Sequence, residues 1–325
     1  MPFFIIFLLF IQIVSARDQD SSELSKEEKE KYTSAAINII QREEAYLKES
    51  KCWTMTNLPT VFYTNKIYNV KGQQKIGVIQ SAEPSSFSIE FLPDNTQIVS
   101  FMNLTSLHAG NHYYSDPPKL KWTSEKAVSL ATGYAKAVLG SQMPNNLPAP
   151  YVYPHKEMDY PRYMDSEWMV IWPRVDKEGH RFHRDSLVVI LTDGHGPNSL
   201  GYNFWSRYDD KHITPIAQEK ALALAAEGAK EILGWGPGAL WLKDYELVNP
   251  PKMDLEIVDP NHLPNQSSIE ALGHGFDLNA RLAWVVLYQK IYKGPPSSDN
   301  LKPTNGDIQV WIDAENGQLL GGDFK

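Results

Sequence analysis

The chain has 325 residues, of which 42% are hydrophobic and 22% charged, and this ordinary globular composition excludes a disordered or fibrous protein. With 31 Lys and Arg against 39 Asp and Glu, the net charge of −8 lacks the positive excess that is typical of nucleic-acid binding. Cys52 is the single cysteine, which excludes an intrachain disulfide and a zinc site made of thiolates.

The first 16 residues have the pattern of an export signal. Phe3–Val14 is an apolar run interrupted by Gln12, and its 12 residues are too few to span a bilayer, which needs roughly 20. Val14 and Ala16 provide the aliphatic and small side chains that signal cleavage sites favour, and charged sequence follows at once. This pattern predicts cleavage after Ala16. We therefore expect residues 1–16 to be a signal peptide and the mature protein to be secreted, periplasmic or in the cell envelope, without a membrane span. Because no Lys or Arg precedes the apolar run, an uncleaved N-terminal anchor is the alternative.

Three helices are predicted, and two of them repeat each other. Glu125–Gly140 and Glu219–Gly234 share nine of sixteen residues at a constant offset of 94, and self-similarity at a fixed spacing indicates a repeated unit. Apolar residues recur at helical spacing in both segments, and a glycine ends each one, as at a helix C-terminus. A fainter helix is predicted over about residues 25–47, where Ser25 and Glu28 form a capping-box pattern.

Alternating, aromatic-rich segments with turn residues between them follow each helix and predict strands. Each helix is expected to cover the apolar face of an antiparallel sheet. This order predicts an α+β fold of tandem modules, each with a helix packed on a curved antiparallel sheet, over residues 17–120 (a divergent copy), 121–210 and 211–325. The predicted strands are 60–68, 75–80, 87–92, 97–103, 168–175, 180–184, 187–192, 200–207, 240–248, 280–292, 306–312 and 318–321.

Proline-rich stretches interrupt the second and third modules. Pro144–Pro161 separates the second helix from its strands, and Pro250–Pro264 and Pro295–Pro303 lie within the third module. We expect these stretches to be loops or extended connectors, because proline breaks regular structure.

Two parts of the chain match a known pattern. Trp168–Arg174 and Asp185–Ile190 form consecutive strands before an alanine-rich helix, and Ile308–Gly322 contains an Asp-Ala-Glu-Asn-Gly turn. This arrangement resembles the PepSY-like repeat of the YcdB/YcdC type, in which an alanine-rich helix precedes strands and an Asp-Ala hairpin closes the unit. The resemblance covers about residues 25–325, with Asn316 where the family favours Thr.

The resemblance implies small helix-on-sheet modules of the PepSY/cystatin-like kind, which occur in exported and cell-envelope proteins. Some of these modules lie in the propeptides of secreted proteases, where they inhibit the protease and assist its folding. The family motif contains no catalytic residue, so none is implied here.

The sequence lacks the common motifs of catalysis and cofactor binding. It has no Gly-x-Ser-x-Gly elbow, no His-Glu-x-x-His helix, no Walker loop and no Rossmann glycine fingerprint. The glycines of residues 234–238 follow a helix and predict a turn rather than a phosphate-binding loop. We therefore expect a protein without enzymatic activity and without a cofactor.

One group of histidine and aspartate side chains offers the ligand types that bind zinc and similar cations. On a strand, His180 and His183 would point to opposite faces, so the alternative is a polar strand face next to turn residues. The candidate metal ligands are His180, His183, Asp185, Asp193 and His195.

Two further features bear on binding and modification. Four tyrosines, Tyr151, Tyr153, Tyr160 and Tyr163, flank prolines and predict an exposed binding surface for a peptide or glycan, with core packing as the alternative. The triplets that begin at Asn103 and Asn265 are N-glycosylation sequons, which matter in a eukaryotic secretory route.

These observations favour an exported, non-catalytic protein that acts by protein or ligand binding, with a protein or peptide as its partner. Protease inhibition or chaperoning is the role that the resemblance implies, and exposed strand edges are suited to pairing with an extended partner segment. One alternative is a secreted metal-dependent hydrolase that uses the His180–His195 region. The other is a structural component of the cell envelope.

Overall fold

The computed structural model describes most of the chain from residue 24 onward. The described ranges are 24–52, 62–68, 74–82, 85–92, 96–103, 119–155, 158–159, 162–163, 166–204, 208–233, 245–260, 279–294 and 306–324. All three predicted helices lie in these ranges, and none of the helices there combines the length and hydropathy that a membrane crossing requires. The expected signal peptide, residues 1–16, lies outside the described residues.

Each helix is followed along the chain by a group of strands. In chain order the elements are α1 (Lys26–Glu49), β1 (Tyr63–Tyr68), β2 (Gln74–Ala82), β3 (Ser85–Phe91), β4 (Ile98–Asn103), α2 (Ser124–Leu139), β5 (Tyr151–His155), β6 (Met158–Asp159), β7 (Arg162–Tyr163), β8 (Glu167–Val175), β9 (Arg181–Thr192), β10 (Gly196–Asn203), α3 (Gln218–Leu233), β11 (Tyr245–Val258), β12 (Arg281–Tyr292), β13 (Gly306–Asp313) and β14 (Leu319–Phe324). Helices combined with a large, mostly antiparallel sheet confirm the expected α+β class.

The helices begin where the sequence provides capping side chains. Ser25 Oγ accepts a hydrogen bond from Glu28 N (3.2 Å), and the Glu28 carboxylate accepts one from Ser25 N (2.8 Å), which is the predicted capping box. At the start of α2, Thr123 Oγ1 accepts a hydrogen bond from Lys126 N (3.3 Å). Helices α2 and α3 are each 16 residues long and start 94 positions apart (218 − 124), at the places that the repeated segments predict.

The strands form one continuous sheet. Twelve strands of the described residues belong to it, in the order β1-β2-β3-β4-β10-β9-β11-β12-β13-β14, with β8 and then β5 added on the other side of β9. Strands β4 and β10 pair antiparallel through residues 100–102 and 199–201, which joins the strands expected for the first two modules. Strands β9 and β11 pair in parallel through residues 181–182 and 256–257, which attaches the strands expected for the third.

Two stretches expected to be connectors contain strands, so that prediction is wrong there. Strand β5 lies within Pro144–Pro161, and Pro154 is tolerated because β5 pairs with β8 alone in the described part and is therefore at the edge of the sheet. Strand β11 runs through the second stretch with a register shift between Val248 and Lys252, so its prolines lie at a bulge where the ladder is interrupted. The two short strands predicted around His183 form the single strand β9.

Helices α1 and α2 lie side by side over the sheet. Arg42 of α1 donates Nε to Ala137 O and Nη2 to Val138 O, both at 2.8 Å, and Tyr46 OH donates to Leu130 O (2.8 Å). Buried side chains from both helices and from their two strand groups belong to one hydrophobic cluster. The first two expected modules therefore share a core.

Helix α3 packs on β12, β13 and β14 and forms a second core around buried alanines such as Ala225. The approach is close: a Cβ added at Gly228 would lie 2.9 Å from Leu319 Cδ1, so only glycine allows this packing without a shift of the neighbour. A further cluster that includes Phe182 and Leu282 lies between β9, β11 and β12. This third cluster supports the cavity described next.

Candidate functional site

A cavity of about 720 Å³ lies where three distant segments of the chain meet. Its walls come from residues 208–213 between β10 and α3, from residues 279–282 at the start of β12, and from residues 313–316 in the turn between β13 and β14. Aromatic, aliphatic and charged side chains all line it. The size and this mixture are typical of ligand-binding sites in proteins.

The buried carboxylate of Asp313 shapes the turn at one side of the cavity. Its Oδ1 accepts hydrogen bonds from Glu315 N (2.8 Å) and Asn316 N (3.1 Å), and Gly317, with φ of 84°, closes the turn by donating its N–H to Asp313 O (2.9 Å). Its Oδ2 accepts a hydrogen bond from Arg281 Nη1 (3.0 Å). Both carboxylate oxygens of Asp313 are thus engaged within the protein.

Backbone hydrogen bonds fix the same turn to its neighbours. Ala314 N donates to Leu282 O (2.9 Å), and Ile216 N donates to Ala314 O (2.8 Å). Across the cavity, Lys211 Nζ lies 3.2 Å from a carboxylate oxygen of Glu315. The three wall segments are therefore held together by direct contacts, and the cavity is a preformed feature of the fold.

Tyr208 supplies the aromatic wall. Its ring meets Phe182 edge to face, with ring centroids 5.7 Å apart, and the Arg174 guanidinium lies 4.0 Å from the Phe182 centroid. Burial raises the pKa of Tyr208 to about 12, and the negative charges of four nearby carboxylates, those of Asp176, Asp210, Glu178 and Asp209, add to the rise. The hydroxyl of Tyr208 stays protonated at physiological pH, and its surroundings are electrostatically negative.

The side chains that line the cavity define the chemistry it offers. Among the described residues it contains no Ser, Thr, Cys or His side chain that would serve as a nucleophile or as a histidine base. Two of its three carboxylates, Asp313 and Glu315, are engaged in ion pairs with Arg281 and Lys211. An arrangement of this kind orients a polar ligand by charge and shape.

The predicted metal ligands contact different partners in different parts of the fold. His180 is in the turn between β8 and β9, where its Nδ1 is 3.0 Å from Asp176 Oδ2. His183 lies on β9, and its Nδ1 is 2.6 Å from Oε2 of Glu256 on β11; Glu256 also pairs with Arg181. Burial alone would raise the pKa of Glu256, but the hydrogen bonds and charges of His183 and Arg181 outweigh it and hold that pKa below its ordinary value.

The aspartates of the same group are engaged elsewhere. Asp185 pairs with Arg174 (2.8 Å). Asp193 accepts hydrogen bonds from Lys121 N (2.5 Å), Trp122 N (3.1 Å) and Trp168 Nε1 (2.8 Å), and so ties the segment before α2 to β8.

His195 completes the predicted group and lies in the turn between β9 and β10, where its N–H donates to Thr192 O (3.0 Å). Across the ranges that the structure describes, no group of three or more His, Cys, Asp or Glu side chains is close enough to hold a metal ion. The five predicted ligands are not brought together, because the β8–β9 hairpin carries them to different faces and ends of the sheet.

Two of the four predicted tyrosines lie on the edge strand β5. Tyr151 is 53% exposed, with the Arg181 guanidinium 6.0 Å from its ring centroid, whereas Tyr153 is half-buried and burial raises its pKa. Tyr163 lies in β7, and Tyr160 lies outside the described residues. Strand β5 therefore presents one exposed aromatic side chain of the predicted surface.

The sequon asparagine Asn103 is buried, with an exposed fraction of 1%. Its Nδ2, the atom that a glycan would modify, donates to Glu43 Oε1 (3.0 Å), which also accepts a hydrogen bond from Tyr134 OH (3.2 Å). The folded chain leaves no room for a glycan at Asn103. Asn265 lies outside the described residues.

Burial raises the pKa of Glu43 to about 7, against the opposing effect of the two hydrogen bonds from Asn103 and Tyr134. This group lies where α1, α2 and β4 meet, away from the cavity.

Comparison with known proteins assigns no family to this chain. No protein-family model matches the chain, and no curated protein matches its sequence. Among solved structures, the chain is similar to the Bacillus megaterium YpeB C-terminal domain, with 10% sequence identity, a TM-score of 0.39, and coverage of 93% of this chain and 98% of that one. It is also similar to an uncharacterized protein from Eubacterium rectale ATCC 33656, with 12% identity, a TM-score of 0.45, and coverage of 91% and 82%. Both likenesses are too distant to assign an activity.

Proposed function

We propose that this chain is an exported, non-catalytic binding protein whose cavity between β10, β12 and the β13–β14 turn receives part of a polypeptide partner. The observation that carries the proposal is the cavity itself: its volume is about 720 Å³, its wall segments are joined by direct contacts, and two of its three carboxylates are paired within the protein. A preformed site loses little conformational entropy on binding, which leaves more of the interaction free energy for affinity.

The proposal includes a signal peptide over residues 1–16 and three PepSY-like modules of the YcdB/YcdC type over residues 17–120, 121–210 and 211–325. The element order supports this division, because each helix precedes four strands of the large sheet: β1–β4 after α1, β5 and β8–β10 after α2, and β11–β14 after α3. Protease inhibition or chaperoning is the form of binding that the resemblance implies. The edge strand β5 supports this role, since an extended segment can add to such an edge.

A peptide-binding experiment tests the proposal. Residues 17–325 are titrated with a library of blocked decapeptides, first as the natural sequence and then with the mouth of the cavity filled by Asn279→Trp. Asn279 is exposed and lines the cavity, so the indole ring is expected to weaken saturable binding by about tenfold or more without unfolding the chain. Asn146→Trp, at an exposed position of the connector after α2, is the matched control and is expected to bind as the natural sequence does.

Absence of saturable peptide binding, or unchanged binding by Asn279→Trp, would contradict the proposal. Turnover of a hydrolase substrate that is lost with a single side chain would contradict its non-catalytic part. The metal-dependent hydrolase alternative is tested by elemental analysis, where a stoichiometric transition metal that is lost on His183→Ala would support it.

A further inference from the structure

Of the three carboxylates that line the cavity, two have ion-pair partners among the described residues and one does not. Asp313 and Glu315 have ion-pair partners in Arg281 and Lys211, as described above. Asp209 is exposed at the cavity wall, and its carboxylate has no hydrogen bond or ion pair within the part of the chain that the structure describes. The lining therefore presents one negative charge that is available to a ligand.

The surroundings add to this negative charge. Asp176, Glu178 and Asp210 lie close enough to Tyr208 to act on its pKa, together with Asp209. Lys177 pairs with Asp210 at 3.7 Å and is the one lysine or arginine that forms an ion pair with these three carboxylates in the described ranges. An aromatic ring with several carboxylates around it is the environment that attracts an organic cation, through the π face of the ring and through direct charge.

Three of the uncharged lining residues are aliphatic, beside the polar Asn279 and Asn316. Ile213, Ala280 and Leu282 line the cavity and belong to the hydrophobic cluster beneath it, or pack against it. Long cationic side chains bury an aliphatic stem against apolar surface and keep the charged end near polar groups. The aliphatic lining residues and the carboxylate of Asp209 together match such a side chain. A ligand carboxylate placed there would instead face Asp209, which carries the same charge.

We infer that the cavity receives a lysine or arginine side chain of the partner polypeptide, with its stem against Leu282 and its charged end between Asp209 and Tyr208. This inference rests on the proposed function, since it names the chemistry of the ligand at the same site. Specificity here is for one type of side chain rather than for an extended sequence.

Blocked pentapeptides of the form acetyl-Gly-Ala-X-Ala-Gly-amide test the inference, with X as lysine, arginine, norleucine or glutamate. We expect the lysine and arginine peptides to bind at least about tenfold more tightly than the norleucine and glutamate peptides. Added salt should lower the affinity for the lysine and arginine peptides, because part of the attraction is between solvent-exposed charges that salt screens. An unblocked all-alanine peptide separates a side-chain cation from a free amino terminus, and it is expected to bind no better than the norleucine peptide.

Asp209→Asn is expected to lower the affinity for the lysine and arginine peptides by about fivefold to tenfold, because it removes the unpaired charge. Glu49→Gln, at an exposed position in α1, removes the same charge far along the chain and is expected to leave their affinity unchanged. Equal binding of the norleucine and lysine peptides, or equal affinity of Asp209→Asn and the natural sequence, would overturn the inference. If the norleucine or glutamate peptide then binds saturably and Asn279→Trp abolishes this binding, the proposed function stands while the inference fails. If no peptide binds, both fail.

Discussion

Replacement of Glu43 by glutamine is expected to stabilise the protein at neutral and alkaline pH. Glu43 is 1% exposed between α1, α2 and β4, and burial raises its pKa to about 7 from an ordinary value of 4.5. Below pH 4.5 the carboxyl is protonated in both the folded and the unfolded chain and costs nothing. Above pH 4.5 it ionises in the unfolded chain first, so the free energy of unfolding falls by about 1.4 kcal/mol per pH unit until the folded state also ionises near pH 7.

The difference between the two pKa values corresponds to about 3 kcal/mol, present as stability at low pH and lost by pH 8. Glutamine has nearly the same shape and keeps an oxygen that accepts from Asn103 and Tyr134, but it does not ionise. Glu43→Gln should therefore match the natural sequence near pH 4 and exceed its free energy of unfolding by about 3 kcal/mol at pH 8.

Urea unfolding followed by tryptophan fluorescence between pH 4 and pH 8 measures this difference. Glu49→Gln is the control, because Glu49 is exposed on the same helix and its replacement causes the same change in net charge. The reasoning is refuted if Glu43→Gln shows the same pH dependence of unfolding as the natural sequence.

Three further predictions concern stability and modification. Asp193→Asn replaces an acceptor oxygen with an amide group that faces a backbone N–H donor, so it should lower the free energy of unfolding by about 2 kcal/mol at pH 7. Urea titrations measure this change, and an unchanged free energy would contradict the hydrogen bonds that Asp193 accepts. The chain secreted from eukaryotic cells should carry no glycan at Asn103 by peptide mass spectrometry, and a glycosylated Asn103 would contradict its burial. Thr123→Ala should cost about 1 kcal/mol by removing the cap of α2, whereas Ser124→Ala should cost much less, and equal effects would refute the capping role.

The helices were predictable from the sequence because their determinants are local. Ser25 and Thr123 cap α1 and α2, and the apolar stripe of each helix follows the helical period, so neighbouring residues suffice to place them. Strand β5 was not predicted, and β11 was predicted only as far as residue 248, because the pairing that places a proline at a sheet edge or a bulge cannot be read from neighbouring residues.

The candidate site was not predictable for a related reason. Asp209 and Glu315 each fall in short polar segments that indicate turns, and the sequence gives no sign that the fold brings such segments together. The ion pair between Lys211 and Glu315 joins residues 104 positions apart.

The parallel seam between β9 and β11 has a mechanical consequence. The first two helices share a core under a continuous sheet, whereas the C-terminal strands join through residues 181–182 and 256–257, with the Glu256 contacts to Arg181 and His183 at that point. The two cores are therefore connected at this seam by two residue pairs of parallel sheet, by these side-chain contacts and by the cluster around Phe182. Because residues 208–213 and 279–282 line the cavity next to the seam, we expect an occupant there to contact segments on both sides and to oppose their separation.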